Sequence, residues 1–236
     1  MAFDILTARE AAGMHGVKIL VYGRAGVGKT VLCSTAPRPI VLSAESGLLS
    51  LRNSDLHVVK IRHIQDLEEV YEWATESKEV DNYDTICLDS ITEIGEQVLA
   101  YAKENVKDAR QAYGELIDRM GVLIKKFRDL SGKHVYMSGK QERVKDDATG
   151  KVTFGLAMPG AKLAQQVPYL FDEMFCLNIG ADEEGEYRYL MTQPTIQYDA
   201  KDRSGSLAAI EEPNLTAVIN KIMADTGEVE EAAETE

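Results

Sequence analysis

The stretch Gly23-Arg24-Ala25-Gly26-Val27-Gly28-Lys29-Thr30 decides how the rest of this 236-residue sequence is interpreted. It follows a short β-rich run, residues 17–22, and a predicted helix begins near Lys29. The stretch matches G-x-x-x-x-G-K-[ST], and its position between a strand and a helix argues against a chance match by a glycine-rich turn. Backbone N–H groups of such a loop close around phosphate oxygens. We therefore predict that it binds MgATP, with Lys29 on the β- and γ-phosphates, where it stabilises the transferring charge, and the Thr30 hydroxyl on Mg²⁺.

Strands and helices alternate along the first part of the sequence. Strands are predicted at residues 17–22, 39–44, 57–61, 84–89 and 133–138, and helices at residues 64–80, 91–107 and 111–130. This alternation predicts parallel β–α–β units. The expected fold class is therefore α/β, with a mostly parallel central sheet and helices on both faces.

Beyond Lys140 the alternation of strands and helices gives way to strand-like runs separated by turns. Turn-forming residues at 146–150 and 182–185 separate strand-like runs, which predicts two hairpins and hence antiparallel strands in the C-terminal third. A last short helix is predicted at residues 215–224. We divide the chain into an N-terminal arm (1–16), a core (17–224) and an acidic, disordered tail (225–236).

Two carboxylates follow predicted strands. Asp89 ends an apolar strand, where it would hold Mg²⁺; a strand-capping aspartate is the alternative. Glu45 follows the strand at residues 39–44, where it could deprotonate an attacking water; an exposed loop acid is the alternative. Because the carboxyl ends of parallel strands converge on one crevice, both side chains are expected near the loop.

Composition limits the classes of function. No stretch of 18 apolar residues is present and the N-terminus lacks a secretory signal, so we expect a cytoplasmic protein without membrane contact. The three cysteines lack metal-ligand spacing and are expected as reduced core thiols. The net charge is −13, so any contact with DNA must come from a local basic patch.

The order of these residues resembles that of a known family. Glu45 after the second strand, Asp89-Ser90 after a later strand and Ser138-Gly139-Lys140-Gln141 after another are arranged as in the RecA-type recombinase core. More closely, residues 17–224 resemble the phage-encoded, core-only RecA-like ATPases that act as single-strand annealing proteins. The resemblance implies a RecA-like P-loop NTPase fold, with Glu45 as catalytic base and Gln141 as the residue that senses the γ-phosphate.

The resemblance also places DNA-binding loops at residues 140–151 and 153–160. The bases available there for backbone contacts are Lys140, Arg143, Lys145 and Lys151. Phe154 is the nearby aromatic residue on which a base could stack. A solvated surface hairpin is the alternative interpretation. The second loop is shorter than is usual for RecA, which weighs against full strand exchange.

Two further features follow from the resemblance. Lys201 and Arg203 are the candidates to reach the ATP of a neighbouring subunit, with an exposed turn as the alternative. Residues 225–236 carry six acids and no base, like the RecA tail that competes with DNA; a solubilising tail is the alternative. Phage origin would place the protein in the host cytoplasm.

These features together lead to one functional hypothesis. The chain is expected to be an ATP-dependent, single-stranded DNA-binding protein that promotes annealing or recombination. Its expected partners are single-stranded DNA, further copies of itself in a filament or ring, and a single-strand-binding protein. The rival hypotheses are a small-molecule or nucleoside kinase, a motor or helicase ring, and a nucleotide-gated scaffold that binds a partner protein without binding DNA.

Overall fold

The computed structural model describes Thr7, residues 16–45 and residues 47–224. The predicted tail, residues 225–236, lies outside the described residues, as does most of the predicted arm, residues 1–16. Within the described part, ten strands form one mixed sheet. No helix there is both long enough and apolar enough to cross a membrane.

The central strands of the sheet are parallel. The strands are β1 (Lys18–Gly23), β2 (Pro39–Ser43), β3 (His57–Lys60), β4 (Thr85–Asp89), β5 (His134–Lys145), β6 (Val152–Ala157), β7 (Glu173–Asp182), β8 (Gly185–Met191), β9 (Lys201–Asp202) and β10 (Ile210–Glu211). Their order is β10-β8-β7-β1-β5-β4-β2-β3, with β6 paired to β5 and β9 paired to β7. The strands from β7 through β1, β5, β4 and β2 to β3 are parallel to one another, whereas β6, β8, β9 and β10 join as antiparallel partners. The predicted fold class, α/β with a mostly parallel sheet, is confirmed.

Helices cover both faces of this sheet. They are α1 (Lys29–Cys33), α2 (Ile64–Glu76), α3 (Ile91–Asn105), α4 (Ala109–Arg128), α5 (Ala161–Gln166) and α6 (Leu215–Ala224), with short 3₁₀ turns at Leu48–Leu51, Lys78–Asn82 and Val167–Leu170. Some of these helices begin at a polar side chain that caps the first turn. Ser90 and Asp108, for example, cap α3 and α4 by accepting hydrogen bonds from backbone N–H groups of the first turn.

The strand β1 shows why the protein has two cores. All six of its residues are buried, as expected for a central parallel strand. Because side chains alternate across a strand, Leu20 and Tyr22 join the core formed with α2, α3 and α4, while Ile19 and Val21 join the core formed with α1 and α6. β1 is therefore fixed from both sides, and the loop that follows it starts from a rigid point.

The C-terminal third differs from expectation in two places. The strand β7, expected to be antiparallel, pairs parallel to β1 and only its other edge is antiparallel, to β8. The second predicted DNA loop, residues 153–160, is mostly the strand β6, because β5 runs on to Lys145 and offers it a full hydrogen-bonded edge. Both predicted hairpins are present, with turns between β5 and β6 and between β7 and β8.

Glu173 is a buried titratable residue in this region. It is 1% exposed at the start of β7, opposite Asp202 of β9. Its Oε1 accepts a hydrogen bond from the Ser204 backbone N–H at 3.2 Å, whereas its Oε2 is buried without a partner. Burial, reinforced by the charge of Asp202, raises the pKa of Glu173 to about 8.

We predict that Glu173 makes stability depend on pH. The folded protein holds the proton more tightly than the unfolded chain, so the stabilisation is complete below the ordinary glutamate pKa and is lost as the pH rises through about 8. Between pH 5 and pH 9, the wild type should lose on the order of a few kcal/mol relative to Glu173→Gln. Denaturant unfolding of both proteins at the two pH values measures this. The prediction is contradicted if the difference in free energy of unfolding between the wild type and Glu173→Gln is the same at both pH values.

Candidate active site at the carboxyl edge of the sheet

The loop between β1 and α1 has a backbone that only glycine adopts without strain. Gly26 has φ of 74° and Gly28 has φ of 110°, both in the region that disfavours other residues. Gly28 is also the residue from which α1 starts, and no side chain caps this helix. The free N–H groups at the start of α1 thus lie in the same loop as Lys29 and Thr30, as the sequence motif requires.

Lys29 folds back over the loop. Its ammonium donates hydrogen bonds to the carbonyl oxygens of Gly23, at 2.9 Å, and Arg24, at 3.0 Å. Burial lowers the pKa of Lys29, while the negative charges of Glu45 and Asp89 act against that effect. A cation is thereby held beside the loop N–H groups, where phosphate oxygens could replace the two carbonyls as partners.

Asp89 links three elements of the site. The side chain is 1% exposed at the end of β4. The Thr30 hydroxyl of α1 donates a hydrogen bond to its Oδ2 at 2.7 Å, and the Ser138 hydroxyl of β5 donates a short one to its Oδ1. The strand β5 lies between β1 and β4, so Asp89 reaches the loop across an intervening strand rather than from a neighbouring one.

These oxygens are chemically suited to Mg²⁺. The Thr30 hydroxyl and the Asp89 carboxylate are adjacent hard oxygen donors, and Mg²⁺ in such sites takes few protein ligands and completes its shell with phosphate and water. In the described part of the chain no three His, Cys, Asp or Glu side chains gather into a fuller protein cage. Mg²⁺ bound here would neutralise charge on the phosphates. Thr30 and Asp89 are the residues that would hold it.

Glu45 is held in the same cleft by the residue after Asp89. The Ser90 hydroxyl donates a hydrogen bond to Glu45 Oε1 at 2.8 Å, and the Ala44 backbone N–H donates to the Asp89 carbonyl at 2.9 Å. One carboxylate oxygen is therefore held by Ser90, and a proton taken from water would go to the other. This is the arrangement that a general base needs.

Gln141 and Lys140 complete the cleft from β5. Both line it, and Gln141 Oε1 lies 4.0 Å from the Cys176 sulfur of β7. Lys140 was predicted as a DNA contact, but its ammonium pairs with Glu93 at 2.8 Å and Glu96 at 3.0 Å. Those two acids raise the pKa of Lys140, and the hydrogen bond to Glu93 has the larger effect. Its charge is therefore directed toward α3 and the cleft.

The other predicted DNA-binding residues lie apart from the cleft. Arg143 and Lys145 are exposed on the outer part of β5, and Lys151 is exposed just before β6. Between them, the Asp146 carboxylate accepts hydrogen bonds from the backbone N–H groups of Ala148, at 2.8 Å, and Thr149, at 3.1 Å, which fixes the turn. The hairpin thus presents three bases, together with the exposed acids Glu142, Asp146 and Asp147, around this turn.

The two candidates for contact with a neighbouring subunit are engaged within the chain. The Lys201 ammonium donates hydrogen bonds to the carbonyl oxygens of Pro168, at 2.8 Å, and Phe171. Arg203 pairs with Asp172 at 3.0 Å, and both side chains are about half exposed. Arg203 could exchange partners at low cost, because exposed ion pairs are weak. Lys201 would have to leave a set of carbonyls that it caps.

The cleft has a volume of about 880 Å³ and contains residues that the sequence did not point to. Leu177 of β7, Arg188 of β8 and Pro213 before α6 line it together with the loop. The Arg188 guanidinium reaches the loop itself, where Nε donates a hydrogen bond to the Val27 carbonyl at 2.8 Å. No local motif could have revealed these residues, because each arrives through contacts between distant segments. The pairing of β7 with β1 and β8 brings Leu177 and Arg188, and the hydrogen bonds from the start of α6 to Thr35 bring Pro213.

Four features define a P-loop ATPase domain: the glycine loop, the Lys29 cation, the hydroxyl–carboxylate pair, and the strand inserted between β1 and β4. Residues 15–204 match the family AAA_24, described as an AAA domain. Because this match spans most of the sequence, the chain belongs to that family. A comparison with curated proteins found no match.

Solved structures with low sequence identity are also similar. One is a KaiC-like protein from the hyperthermophilic archaeon Pyrococcus horikoshii, with 12% identity and a TM-score of 0.42, covering 75% of this chain and 78% of that one. Another is the flagellar accessory protein FlaH from Methanocaldococcus jannaschii, with 13% identity and a TM-score of 0.39, covering 79% of this chain and 80% of that one.

We predict that Glu45→Gln retains ATP but hydrolyses it slowly, by a factor on the order of 10²–10⁴, the usual contribution of a positioned general base. Glutamine keeps the shape and the hydrogen bond with Ser90 but cannot take a proton. Single-turnover hydrolysis and ATP affinity, measured separately, test this. Lys29→Ala is the matched control, because it should weaken ATP binding as well as turnover. Normal turnover by Glu45→Gln would place the base elsewhere.

Proposed function

We propose that this protein is an ATPase that binds single-stranded DNA under the control of its nucleotide and promotes annealing or recombination. The observation that carries the proposal is the continuity of β5. This strand holds Ser138 on Asp89, places Gln141 in the nucleotide cleft, and continues without a break to Arg143 and Lys145. One continuous strand therefore runs from the nucleotide cleft to the β5–β6 hairpin.

The alternation of side chains supports this proposal. Residues two apart on a strand share a face, so Gln141, Arg143 and Lys145 lie along one side of β5. Arg143 is paired with Phe154 of β6, whose ring stacks on Tyr198 with centroids 4.9 Å apart and planes at 20°. Basic and aromatic side chains next to each other suit single-stranded DNA. The basic side chains neutralise its phosphates, and the aromatic rings stack on its nucleobases.

The middle of the hairpin is also hydrogen-bonded to β1, the strand that precedes the phosphate loop at residues 23–30. The buried Tyr22 hydroxyl of β1 donates its one proton to the Asp199 carbonyl at 2.7 Å and shares it with the Phe154 carbonyl at 3.2 Å. In addition, Gly23 pairs with Lys140 at the end of β1. A shift of the loop on ATP binding would act on the hairpin through both connections.

Charge limits where a polyanion could lie. The turn between β7 and β8 carries Asp182, Glu183 and Glu184, followed by Glu186. No base lies within that turn, whereas the acids of the β5–β6 hairpin, Glu142, Asp146 and Asp147, are matched in number by Arg143, Lys145 and Lys151. DNA on this protein would therefore avoid the turn between β7 and β8 and contact the β5–β6 hairpin through its three bases. Assembly into a filament or ring stays a prediction.

We predict that replacing Arg143, Lys145 and Lys151 with alanine weakens binding to single-stranded DNA of every sequence. The slope of log affinity against log salt concentration should fall by the equivalent of up to about three phosphate contacts. The measurement is a salt titration of affinity for an oligothymidylate in the presence of a non-hydrolysable ATP analogue. The matched control replaces Lys107, Arg110 and Lys125, three exposed bases on or beside α3 and α4, and removes the same charge. ATP affinity without DNA should be unchanged in both variants.

The outcomes separate the alternatives. Equal losses in the two variants would indicate a general charge effect and remove the hairpin from the proposal. Absence of DNA binding by the wild type, with ATP binding intact, would favour a nucleotide-gated scaffold. Phosphorylation of an added small-molecule acceptor would favour a kinase.

A further inference from the structure

Arg188 is the residue of the cleft that the hydrolysis scheme above leaves unused. It lies on β8, which β7, β1 and β5 separate from β4 and its Asp89. Its Nε donates a hydrogen bond to the Val27 carbonyl at 2.8 Å. Its Nε and Cδ also lie 3.5 and 3.6 Å from the point that a Cβ on Gly28 would occupy. The side chain thus packs on the middle of the phosphate loop.

This contact fixes the direction of a backbone N–H group. The Val27 carbonyl and the Gly28 N–H belong to one planar trans peptide, in which they point in opposite directions. By holding the carbonyl toward β8, Arg188 turns the Gly28 N–H away from β8. Loss of the hydrogen bond would free this peptide to rotate, because Gly28 tolerates many backbone conformations.

The other bonds of this part of the loop lie at its two ends. On the helix side, the Gly28 carbonyl accepts a hydrogen bond from the Leu32 N–H at 2.9 Å. Lys29 Nζ binds the carbonyls of Gly23 and Arg24 at the start of the loop, and phosphate would compete for that ammonium. The Val27 N–H donates to the Arg24 carbonyl over 3.4 Å, which is long for a hydrogen bond. The Arg188 contact therefore supplies a side-chain anchor at the centre of the loop.

Arg188 also brings a positive charge to the cleft. The bond to Val27 uses one of the five N–H donors of the guanidinium, and guanidinium groups bind phosphate oxygens well. The charge comes from a strand that is remote in sequence from the loop, so it is an addition to the Lys29 cation of the motif.

We propose that Arg188 is a positioning residue for the phosphate loop, which holds the Val27–Gly28 peptide in its phosphate-binding orientation and adds a cation to the triphosphate subsite. The proposal rests on ATP binding by this site, which belongs to the proposed function, but not on DNA binding. Wild-type ATP affinity measured in parallel separates failure of the proposal from failure of the site.

The test compares Arg188→Ala, Arg188→Lys and the control Arg119→Ala, an exposed arginine of α4 paired with Glu115. Loss of a charge-assisted hydrogen bond should raise the KM for ATP roughly ten- to a hundred-fold in Arg188→Ala, with a smaller change in kcat. Arg188→Lys, which keeps the charge without the planar fork, should fall between that variant and the wild type. Guanidinium ion added to Arg188→Ala should restore part of the affinity.

A second readout locates the effect. Tripolyphosphate, which lacks base and sugar, should inhibit the wild type and lose potency in Arg188→Ala by the same factor as ATP affinity. An unchanged KM in Arg188→Lys and Arg188→Ala would overturn the proposal. Weaker ATP binding with unchanged inhibition by tripolyphosphate would also overturn it, because Arg188 would then act on the base or the sugar. If Arg188→Ala does not fold, as judged by thermal unfolding, the Arg188→Lys comparison decides.

Discussion

The buried carboxylate of Asp89 is the constraint on which the rest of the site depends. A carboxylate removed from water is costly unless its oxygens are hydrogen-bonded, and here each oxygen has a hydroxyl partner. One hydroxyl comes from α1 and the other from β5, so satisfying this single charge fixes the phosphate loop, the central strand and β4 relative to one another. The same arrangement leaves Ser90 to orient Glu45, which lines one cleft together with Lys29.

The insertion of β5 between β1 and β4 has a mechanical consequence. Ser138 meets Asp89, Gln141 lines the nucleotide cleft, and the exposed bases follow on the same strand. Beyond Lys140, β5 is paired with β6 alone, so the hairpin is a two-stranded extension of the sheet. A displacement at Gln141 would be passed along the hydrogen-bonded pair of strands to the hairpin. Under the proposed function, the effect of ATP on DNA affinity requires an equal effect of DNA on ATP affinity. The Tyr22 hydroxyl supplies a second connection between loop strand and hairpin.

Much of this could be predicted from local sequence because the signals are local. The loop motif, the apolar strand ending in Asp89 and the turn residues at 146–150 each determine structure within a few residues. The pairing of β7 with β1, and hence the arrival of Arg188 at Val27, joins residues far apart in sequence and leaves no local pattern. The strand β6 was mistaken for a loop for the same reason, since its regularity comes from the extended edge of β5. The intrachain partners of Lys201 likewise become visible only in the fold.

The central claim is that the nucleotide cleft and the β5–β6 hairpin act as one unit. The most direct measurement is the rate of ATP hydrolysis by the 236-residue chain at saturating ATP as an oligothymidylate is added. The account predicts a rate that rises with oligothymidylate concentration and then saturates. The reason is that bound DNA would hold β5, and with it Gln141, in one position. A rate that stays constant across the titration, while the oligothymidylate is shown to be bound, would contradict it.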